Sequence, residues 1–540
     1  MKSSIPHRTR IAAVLAVSAL AVTGCGSSGN SSDSDSSAAT LSKTKIFTTG
    51  FVGSTDAGTP KKGGQLTIAD YGEPRSLDPT VTYANGATGG SAMAAIYDEL
   101  VRYDYTDNSW APQLAESLTS SKGDTVWTLK LRKGVKFTNG QPLNAAAVLG
   151  SLKYYEAKYA YQSTLMLANV ASTTTPDAQT VVFTLRTPWS DFPDMLAQGP
   201  GMIMAPAAYA NPKKFKPIGA GPFTFGSYKP GESLVLNANK NYVGGAPYLD
   251  SLKFVWIGAT DDQAKVDALD SGTADTAYLR DPGVVTKARK AGVEGFMTGV
   301  GQQDQLNINA RKGRPGADLN VRQAINYAID ANAYVKRVTD DAAIATKAAF
   351  GPGSPWYTAV GDQYDVTKAK ALVTKAKANG FDGKIDYVYS ASPSAQTGAV
   401  LIKAMLDAVG FNVKLDPLRS VADQVQKLYI DHDFDLAIGS GSVSDVDPYQ
   451  ALTSQLASTS SSNVTGWGSP QMDKLLAQLQ ANGTPAAGKA IVAKIQTMIA
   501  KYAPEISLDA AGVFQAWNKD VHGIEPTTAT LELFNKAWKE

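Results

Sequence analysis

Residues 383–418 read GKIDYVYSASPSAQTGAVLIKAMLDAVGFNVKLDPL, and this stretch decides the fold class. A strand is predicted at Ile385–Tyr389 and a helix at Ala395–Val409. Gly410 ends that helix, and a second strand follows at Phe411–Leu415. Strands that alternate with helices of this length are typical of βαβ units, so the stretch predicts an α/β fold.

The same alternation continues on both sides of this stretch. A helix is predicted over Lys368–Ala378 and ends at Gly380. Further along, a helix at Ser420–Tyr429 precedes a strand at Phe434–Ile438. Regular alternation across 365–440 predicts a mostly parallel sheet that is covered by helices.

Alternating apolar residues and helix-capping residues mark further elements outside this region. Strands are predicted at Gln65–Ala69, Thr125–Leu131, Val181–Leu185 and Leu252–Ile257. Helices are predicted to begin after the capping residues Asp261, Asp318 or Asn320, and Ser469.

The composition excludes several classes of protein. With 540 residues, of which 43% are hydrophobic, the chain can bury a large core, which argues against wholesale disorder or a fibrous protein. Lys and Arg number 51 against 49 Asp and Glu, which leaves a net charge of +2. Since no concentrated basic run is present, we expect no nucleic-acid partner.

Scarce cysteine and histidine argue against a metal site or a cofactor. Cys25 is the only cysteine, and the three histidines are His7, His432 and His522. Neither a cysteine-based metal centre nor a paired-histidine zinc motif can be built from this set. The phosphate-binding loop and the nucleophile elbow are absent from the sequence too. We therefore expect a protein that is not an enzyme. A hydrolase that uses paired carboxylates is an alternative that these absences do not exclude.

The first 24 residues have the pattern of a secretory signal. Lys2, Arg8 and Arg10 supply positive charge before the apolar stretch Ile11–Val22, which has 12 residues. A stretch of this length is too short to span a bilayer core of about 30 Å. We predict that residues 1–24 are removed and that the protein works outside the cytoplasm.

The signal ends in Val22-Thr23-Gly24-Cys25, which resembles the bacterial lipobox. The resemblance implies that Cys25 carries the lipid that anchors the chain to the outer face of the cell membrane. Two or more acyl chains suffice for stable anchoring. Residues 25–62, which begin with a Ser- and Gly-rich run, are predicted to form a flexible tether.

Six sequence blocks follow one another in a fixed order across the rest of the chain. They are Gly63–Leu66 with Glu73–Pro79, Ile96–Val101 with Pro112–Ser117, Leu129–Phe137 with Asn139–Leu143, Gly219–Phe223, Val321–Ile325 with Ala328–Asp330, and Phe434–Leu436 with Asp447-Pro448. Together they resemble the extracellular solute-binding proteins of the peptide/nickel family, family 5. Proteins of this family serve ATP-binding cassette (ABC) importers.

The resemblance implies a fold of the periplasmic-binding-protein type, type II and large cluster C. In this fold two α/β lobes close on a ligand, and an extra domain is inserted in the first lobe. We expect the first lobe at 63–82, 204–304 and 509–540, the inserted domain at 83–203 and the second lobe at 305–508.

The resemblance also implies a function without catalysis. The protein would capture oligopeptides between its lobes as a monomer and deliver them to the permease subunits of an importer. The same transport role for an oligosaccharide or another small solute is an alternative. A surface-anchored hydrolase is a second one.

Two chain segments match the family's peptide-binding edges. They are 69–72, which contains Tyr71, and 439–442, which contains Ser440, Gly441 and Ser442. The resemblance implies that their backbone groups pair with the ligand backbone, as an added strand does in a sheet. Small residues in the second segment would allow close backbone approach.

An acidic residue near the second segment typically pairs with the ammonium group of the peptide in this family. Asp445 is our candidate, although it lies one residue closer to Asp447 than the family pattern places it. Asp447 itself is interpreted as a turn residue before Pro448.

The dipeptide-binding members of the family carry an arginine for the ligand carboxylate in the loop that corresponds to Ser390–Gln396. No arginine is present there, so the sequence favours peptides longer than a dipeptide, or a ligand without that carboxylate. Tyr278, Tyr449 and Trp467 are candidates for the walls of side-chain pockets, with core packing as the alternative.

Overall fold

The strands and helices are labelled in chain order over the residues that the computed structural model describes, which are 41–54, 58–258, 261–301, 304–361, 363–439 and 441–540. The strands are β1 Gly50–Val52, β2 Gln65–Ala69, β3 Val101–Asp104, β4 Ser109–Pro112, β5 Ala115–Ser121, β6 Val126–Leu131, β7 Val170–Asp177, β8 Thr180–Leu185, β9 Phe223–Lys229, β10 Ser233–Ala238, β11 Ser251–Val255, β12 Thr276–Leu279, β13 Glu294–Val300, β14 Gln305–Ile308, β15 Ile344–Ala345, β16 Lys384–Ser390, β17 Asn412–Leu418, β18 Leu436–Gly439, β19 Glu505–Ser507, β20 Asp509–Trp517, β21 Val521–His522, β22 Glu525–Thr527, β23 Leu531–Leu533 and β24 Trp538–Lys539. The α-helices are α1 Lys43–Ile46, α2 Gly90–Tyr97, α3 Ala145–Ala157, α4 Ser163–Asn169, α5 Phe192–Leu196, α6 Pro206–Tyr209, α7 Asp262–Asp270, α8 Pro282–Lys290, α9 Leu319–Ala328, α10 Ala331–Val338, α11 Val366–Ala378, α12 Pro393–Asp407, α13 Val421–Gln424, α14 Pro448–Leu456, α15 Pro470–Gln480 and α16 Pro485–Tyr502.

The first lobe is built on a mixed sheet in the order β1-β13-β20-β12-β2-β11-β10-β9, with β15 paired to β20. β2 runs parallel to both of its neighbours, β11 and β12. β20 runs antiparallel to β12 and β13. Leu66 and Ile68 of β2 are buried, which agrees with the alternation that predicted this strand, and the strand at Gln65–Ala69 is confirmed.

The second lobe is built on the sheet β17-β16-β18-β14-β19. β16 is parallel to β17 and β18, so the parallel arrangement predicted from residues 383–418 is confirmed. β14 and β19 run antiparallel to their neighbours. The chain enters the lobe through β14 and leaves it through β19, which follows α16.

The inserted part of the chain carries its own antiparallel sheet, in the order β5-β6-β8-β7. Leu129 and Phe183 from its two central strands are fully buried beside apolar residues of α3. The strands predicted at Thr125–Leu131 and Val181–Leu185 are confirmed as β6 and β8. The boundaries of the three domains remain predictions.

Capping residues begin the helices at the predicted positions. The side chain of Asp261 accepts a hydrogen bond from the Ala264 N–H at 3.1 Å, and Ser469 accepts one from the Met472 N–H at 3.1 Å. The helix predicted over Ser420–Tyr429 differs, because after α13 the chain widens into a π-helical turn at Val425–Ile430.

Residues 41–52 correct the prediction of a flexible tether over 25–62. This stretch, which we call the N-terminal segment, forms α1 and β1, and β1 pairs antiparallel with β13. Ile46 and Phe47 are buried in the same apolar cluster as Met297 and Phe514. The Ser and Gly content suggested a linker, but these apolar side chains have a core to pack against, which stabilises the segment on the first lobe.

The predicted signal sequence and Cys25 lie outside the described residues. In the part of the chain that the structure describes, no helix combines the length and apolar character needed to cross a membrane.

Candidate functional site

The two lobes meet where the chain crosses between them. The Leu508 N–H donates to the Asp304 carbonyl oxygen at 2.9 Å, and the Asp304 N–H donates to Asp509 Oδ1 at 2.8 Å. A bridge between Gly301 and Val443 joins the end of β13 to the loop after β18. This loop contains Asp445, so the fold brings the predicted ammonium partner to the junction of the lobes.

Asp445 is held by neutral donors. Ser354 Oγ donates to its Oδ1 at 2.5 Å, and Thr49 Oγ1 donates to its Oδ2 at 3.4 Å. Trp356 Nε1 donates to its backbone carbonyl at 2.9 Å, which fixes the loop. Burial raises the pKa of Asp445 to about 6, although the hydrogen bonds from Ser354 and Thr49 act in the opposite direction.

A small cavity of about 10 Å³ adjoins the Asp445 carboxylate. This volume has room for about one water molecule. Glycine and alanine supply much of its wall, together with Phe47, Val300, Ile344 and Ser354. A Cβ atom at Gly301 would lie 2.1 Å from the carbonyl oxygen of Ala349, so only glycine permits this close approach.

The second predicted peptide edge is only partly accessible to a ligand. Gly439 already pairs with Gln305 of β14. Beyond it, Gly441 is buried and Ser442 is exposed. Ser440 lies outside the described residues.

The structure contradicts the first predicted edge at Ala69 and Asp70. β2 is a central strand, so Ala69 is paired on both sides, with Val255 and with Ala277. The Asp70 N–H donates to the Val255 carbonyl oxygen at 3.0 Å. Backbone groups for an added strand can therefore come only from residues beyond these two.

Tyr71 and Tyr278 are brought together at the ends of β2 and β12, with ring centroids 6.0 Å apart. Both strands are parallel, so their carboxyl ends emerge at one edge of the sheet, where ligands of open α/β sheets bind. The Tyr278 hydroxyl lies 2.8 Å from Thr530 Oγ1. Asp70 is buried beneath this pair, and burial raises its pKa to about 7.

Arg280, which the sequence reasoning missed, follows β12 directly. Its guanidinium carbon lies 5.1 Å from the centroid of the Tyr71 ring. Within the described residues its side chain forms no ion pair and donates no hydrogen bond to protein. Lys265, on the same ring at 4.6 Å, is instead paired with Asp262 at 3.0 Å.

The position of Arg280 in the sequence could have identified it as a candidate ligand-binding residue. It stands one residue after a buried strand whose carboxyl end shares an edge with the predicted Tyr71. A single arginine has no periodic pattern, and the family's arginine lies in another loop, the one that corresponds to Ser390–Gln396.

Tyr449 and Trp467 are buried and do not line the Asp445 cavity. The Tyr449 ring lies 5.5 Å from that of Trp189, and the Trp467 ring lies 5.4 Å from that of Tyr502. These contacts agree with core packing, the alternative interpretation of the two residues.

Asp447 begins a helix, as its interpretation as a turn residue before Pro448 suggested. Its Oδ1 accepts a hydrogen bond from the Tyr449 N–H at 2.9 Å, and α14 starts at Pro448. Burial, together with the nearby charges of Asp194 and Asp191, raises the pKa of Asp447 well above its ordinary value.

Polar contacts join the inserted part of the chain to the second lobe. Gln480 Nε2 donates to Asn169 Oδ1 at 2.7 Å, and the Gly483 N–H donates to Ser190 Oγ at 2.8 Å. Gln450 of α14 donates to Asp194. The second lobe thus contacts both the first lobe and the inserted sheet.

The described residues contain no group of three or more His, Cys, Asp or Glu side chains arranged to hold a metal ion. His432, which lies between two aspartates in the sequence, has its Nδ1 2.8 Å from the Leu428 carbonyl oxygen. This contact places the histidine in the turn before β18.

Comparisons with known proteins agree with this architecture. A sequence model of the family described as bacterial extracellular solute-binding proteins, family 5 Middle, matches residues 109–463. The probable D,D-dipeptide-binding periplasmic protein DdpA of Escherichia coli K12 is 26% identical over 489 residues, covering 87% of this chain and 93% of that protein.

Two solved structures show the same fold. The periplasmic binding protein DppA of Helicobacter pylori, in complex with the peptide STSA, has a TM-score of 0.73 and 25% identity, covering 89% of this chain and 99% of that chain. The binding protein AgaA of A. tumefaciens R10, in complex with agropinic acid, has a TM-score of 0.73 and 25% identity, covering 88% and 99%. These neighbours confirm the predicted two-lobed fold.

Proposed function

Because the chain belongs to the family 5 bacterial extracellular solute-binding proteins, we propose that it captures short peptides between its lobes and delivers them to an ABC importer. The family consists of binding proteins, so no chemical step is assigned to the site. The relatives that bind a D,D-dipeptide and the peptide STSA support a peptide as the class of ligand.

The observation that carries the proposal is the environment of Asp445. Its carboxylate is largely removed from water and has neutral donors, and no Lys, Arg or His of the described residues pairs with it. A buried carboxylate without a cation is costly, and an ammonium group would offset that cost. The peptide ammonium would therefore bind here.

The carboxylate end of the peptide would bind at Arg280. β13 ends beside the Asp445 cavity and Arg280 follows β12, and the two strands are separated by β20 alone. Two strand spacings amount to about 10 Å across the sheet, and the offset from Ala511, opposite Val300, to Phe514, opposite Leu279, adds about 10 Å along it. The resulting separation of roughly 14 Å is spanned by an extended chain of about four residues. The site therefore fits peptides longer than a dipeptide.

Binding energy in this scheme stabilises the closed arrangement of the lobes. Asp445 belongs to the second lobe and Arg280 to the first, so a ligand that contacts both binds the closed state more tightly than the open one. The importer would recognise the closed state.

The location is extracytoplasmic, as the family description states, and a lipid on Cys25 would hold the protein at the membrane. Labelled palmitate should enter the wild-type protein and not Cys25→Ala, which should be released or stay as a precursor. A membrane-bound, acylated Cys25→Ala protein would contradict the anchor.

A second candidate ligand is a small acidic solute other than a peptide. It is favoured by the unpaired guanidinium of Arg280 and by the relative that binds agropinic acid. Such a ligand would occupy the Arg280 end and leave Asp445 without a partner.

Mass spectrometry of the ligands retained through mild purification, followed by calorimetry with the identified compounds, tests the proposal. We expect intact peptides of three or more residues. Cleaved peptides would indicate a hydrolase, whereas a retained sugar or non-peptide acid would replace the peptide assignment.

A further inference from the structure

Four side chains close a ring of hydrogen bonds between the inserted part of the chain and the second lobe. Gln162 Nε2 donates to Gln198 Oε1 at 2.9 Å and to Gln450 Oε1 at 3.2 Å. Asp194 Oδ2 accepts from Gln198 Nε2 at 2.7 Å and from Gln450 Nε2. We call these four residues the glutamine ring. Three of them belong to the inserted part, and Gln450 of α14 belongs to the second lobe.

The glutamine ring lies within an apolar contact between the same two parts. Gln162, Asp194 and Gln198 are buried. Trp189 of the inserted part and Tyr449 of α14 belong to one apolar cluster, and the centroids of their aromatic rings are 5.5 Å apart. Burial of polar groups in such surroundings is costly unless they are hydrogen-bonded. The glutamine ring therefore fits only one placement of α14 against the inserted part.

Gln450 connects the two sides of the glutamine ring, because its amide oxygen accepts and its amide nitrogen donates. Burial raises the pKa of Asp194 to about 7, so this carboxylate is largely removed from water. Without Gln450, the Asp194 Oδ2 atom would keep only the donor from Gln198. A buried acceptor that loses a donor and gains no water in its place destabilises the arrangement that buries it.

The glutamine ring joins two parts that no backbone segment connects directly. The inserted part, expected at 83–203, is continuous only with the first lobe, and the second lobe joins the first lobe next to Asp304 and Asp509. If the lobes separate about these crossings, α14 leaves the inserted part while the backbone stays continuous. Because α14 follows the loop of Asp445, the helix moves together with that side of the ligand site.

We propose that the glutamine ring is a latch that stabilises the closed arrangement of the lobes, and so raises the affinity for every ligand without contacting any of them. Its hydrogen bonds across the two parts exist only when the lobes are closed. A ligand that needs the closed state binds more weakly, by one common factor, when that state is less populated. This inference rests on the proposed closure of the lobes on a ligand.

The test removes the hydrogen bonds of the glutamine ring while an apolar side chain remains. The variants are Gln450→Leu in the second lobe and Gln162→Leu in the inserted part. The matched control is Gln478→Leu on α15, where the glutamine is exposed. The probes are a pool of tripeptides to pentapeptides with a free carboxylate and the same peptides with an amidated carboxyl end. Native mass spectrometry of the mature chain gives the affinity for each form.

We expect Gln450→Leu to weaken the binding of both forms by the same factor, about 10- to 100-fold, the usual range for a lost hydrogen bond to a charged group. Gln478→Leu should bind like the wild type. The double variant Gln162→Leu/Gln450→Leu should lose less affinity than the product of the two single losses, because both substitutions break the same glutamine ring. Losses that multiply, or a loss for one form of the peptides alone, would overturn the latch.

A distance measurement between the two parts distinguishes a latch from a direct contact with the ligand. Cys25 is the only cysteine, so the mature chain with Cys25→Ser can be spin-labelled at Lys133→Cys in the inserted part and at Lys474→Cys on α15. Both lysines are exposed. Without ligand, the Gln450→Leu variant should show longer distances more often than the wild type. With saturating peptide, the two proteins should show the same distances.

Identical distance distributions in the two ligand-free proteins would overturn the latch and leave peptide binding intact. If the wild type binds none of the peptides, the proposed function is wrong. The ligand-free distances need no peptide, so they test the glutamine ring separately from the proposed function.

Discussion

Asp445, in the loop after β18, and Arg280, directly after β12, are charged groups that the protein supports in different ways. At the Asp445 end a buried carboxylate has only neutral hydrogen-bond donors, and burial raises its pKa to about 6. At the Arg280 end the guanidinium is half-buried against the Tyr71 ring, next to Lys265, which is already paired with Asp262. Among the described residues no cation pairs with Asp445, and no carboxylate lies within ion-pair distance of Arg280, although the charge of Arg280 acts on the pKa of Asp304.

Under the proposed function, this difference favours a ligand with a positive and a negative end, bound in one direction. A buried carboxylate gains most from a charged partner, because the surroundings screen the interaction poorly. A half-exposed guanidinium gains less, because water competes for its donors. The two ends should therefore contribute unequally to affinity.

Removal of the Asp445 carboxylate should reduce the affinity for a peptide more than any other change considered below. Asp445→Ala should weaken the binding of a free-amine peptide by about 2–5 kcal/mol, or roughly 30- to several-thousand-fold, because the ammonium is left in a dry cavity without its partner. Calorimetry with the free-amine peptide measures the loss.

The N-acetylated form of the same peptide is the control for charge, and Asp445→Asn is the control for shape. The acetylated peptide should bind the wild type poorly and lose little more on mutation. If Asp445→Ala weakens the binding of both peptides equally, Asp445 has a structural role and does not pair with the ammonium group of the ligand.

Removal of the cation at the other end should have a smaller effect. Arg280→Ala should weaken a peptide with a free carboxylate by about 10- to 100-fold, the usual range for a hydrogen bond to a charged group. The C-terminally amidated peptide should bind the wild type and the variant equally. Arg280→Lys should recover part of the affinity, since it restores the charge but not the planar pair of donors.

Binding of the amidated and of the carboxylate peptide would then be measured by calorimetry for all three proteins. A loss that is the same for both peptides would place Arg280 outside the ligand site. Lys265, the other cation on the Tyr71 ring, would then be the next candidate for a partner of the ligand carboxylate.

Lower pH should weaken ligand binding at Asp445 more than ligand binding at Arg280. The pKa of Asp445 is raised from 3.8 to about 6, so its carboxylate becomes protonated as the pH falls through 6. Affinity for a free-amine peptide should be highest near pH 7, fall by up to about tenfold between pH 6 and 5, and fall again above about pH 8, where the α-ammonium of the peptide loses its proton. For the ligand-free protein the sign is opposite, because this group stabilises the fold at low pH and the contribution is lost as pH rises from about 4 to 6.

Titration calorimetry at several pH values, with Asp445→Asn as control, checks this dependence. The Asn variant should bind weakly and independently of pH over the same interval. If it retains the wild-type slope, another buried carboxyl is responsible. Asp70 is the first to examine, since burial raises its pKa to about 7.

The sequence predicted the buried end of the site better than the exposed one. Asp445 could be found because it belongs to a loop with a recognisable Asp-Pro sequence, and the structure brings that loop to the junction of the lobes. Arg280 could not, because its role depends on β2 and β12 being parallel neighbours, a pairing between residues about 200 positions apart.

The fold was predictable for a different reason than Asp445 was. Alternation at Gln65–Ala69 and across 383–418 reports local burial, which sequence periodicity encodes directly. The packing of the N-terminal segment was not, since the five apolar residues of 41–52 follow neither the period of a strand nor that of a helix. The burial of Ile46 and Phe47 depends on a surface formed by β13 and β20, far along the chain.

The smallest change in affinity is expected for variants of Tyr71, whose ring packs against the Arg280 guanidinium. The Tyr71 ring lies under both Arg280 and Lys265, so Tyr71→Leu removes the aromatic face and keeps an apolar side chain. A cation over an aromatic ring at a partly exposed site contributes about 0.5–1 kcal/mol, so affinity for the carboxylate peptide should fall only about two- to fivefold. Tyr71→Phe keeps the ring and should bind like the wild type. Calorimetry resolves this difference if the amidated peptide is measured in parallel, because its affinity should not change in either variant. A loss in Tyr71→Phe as large as in Tyr71→Leu would mean that the tyrosine hydroxyl, and not the ring beneath Arg280, contacts the ligand.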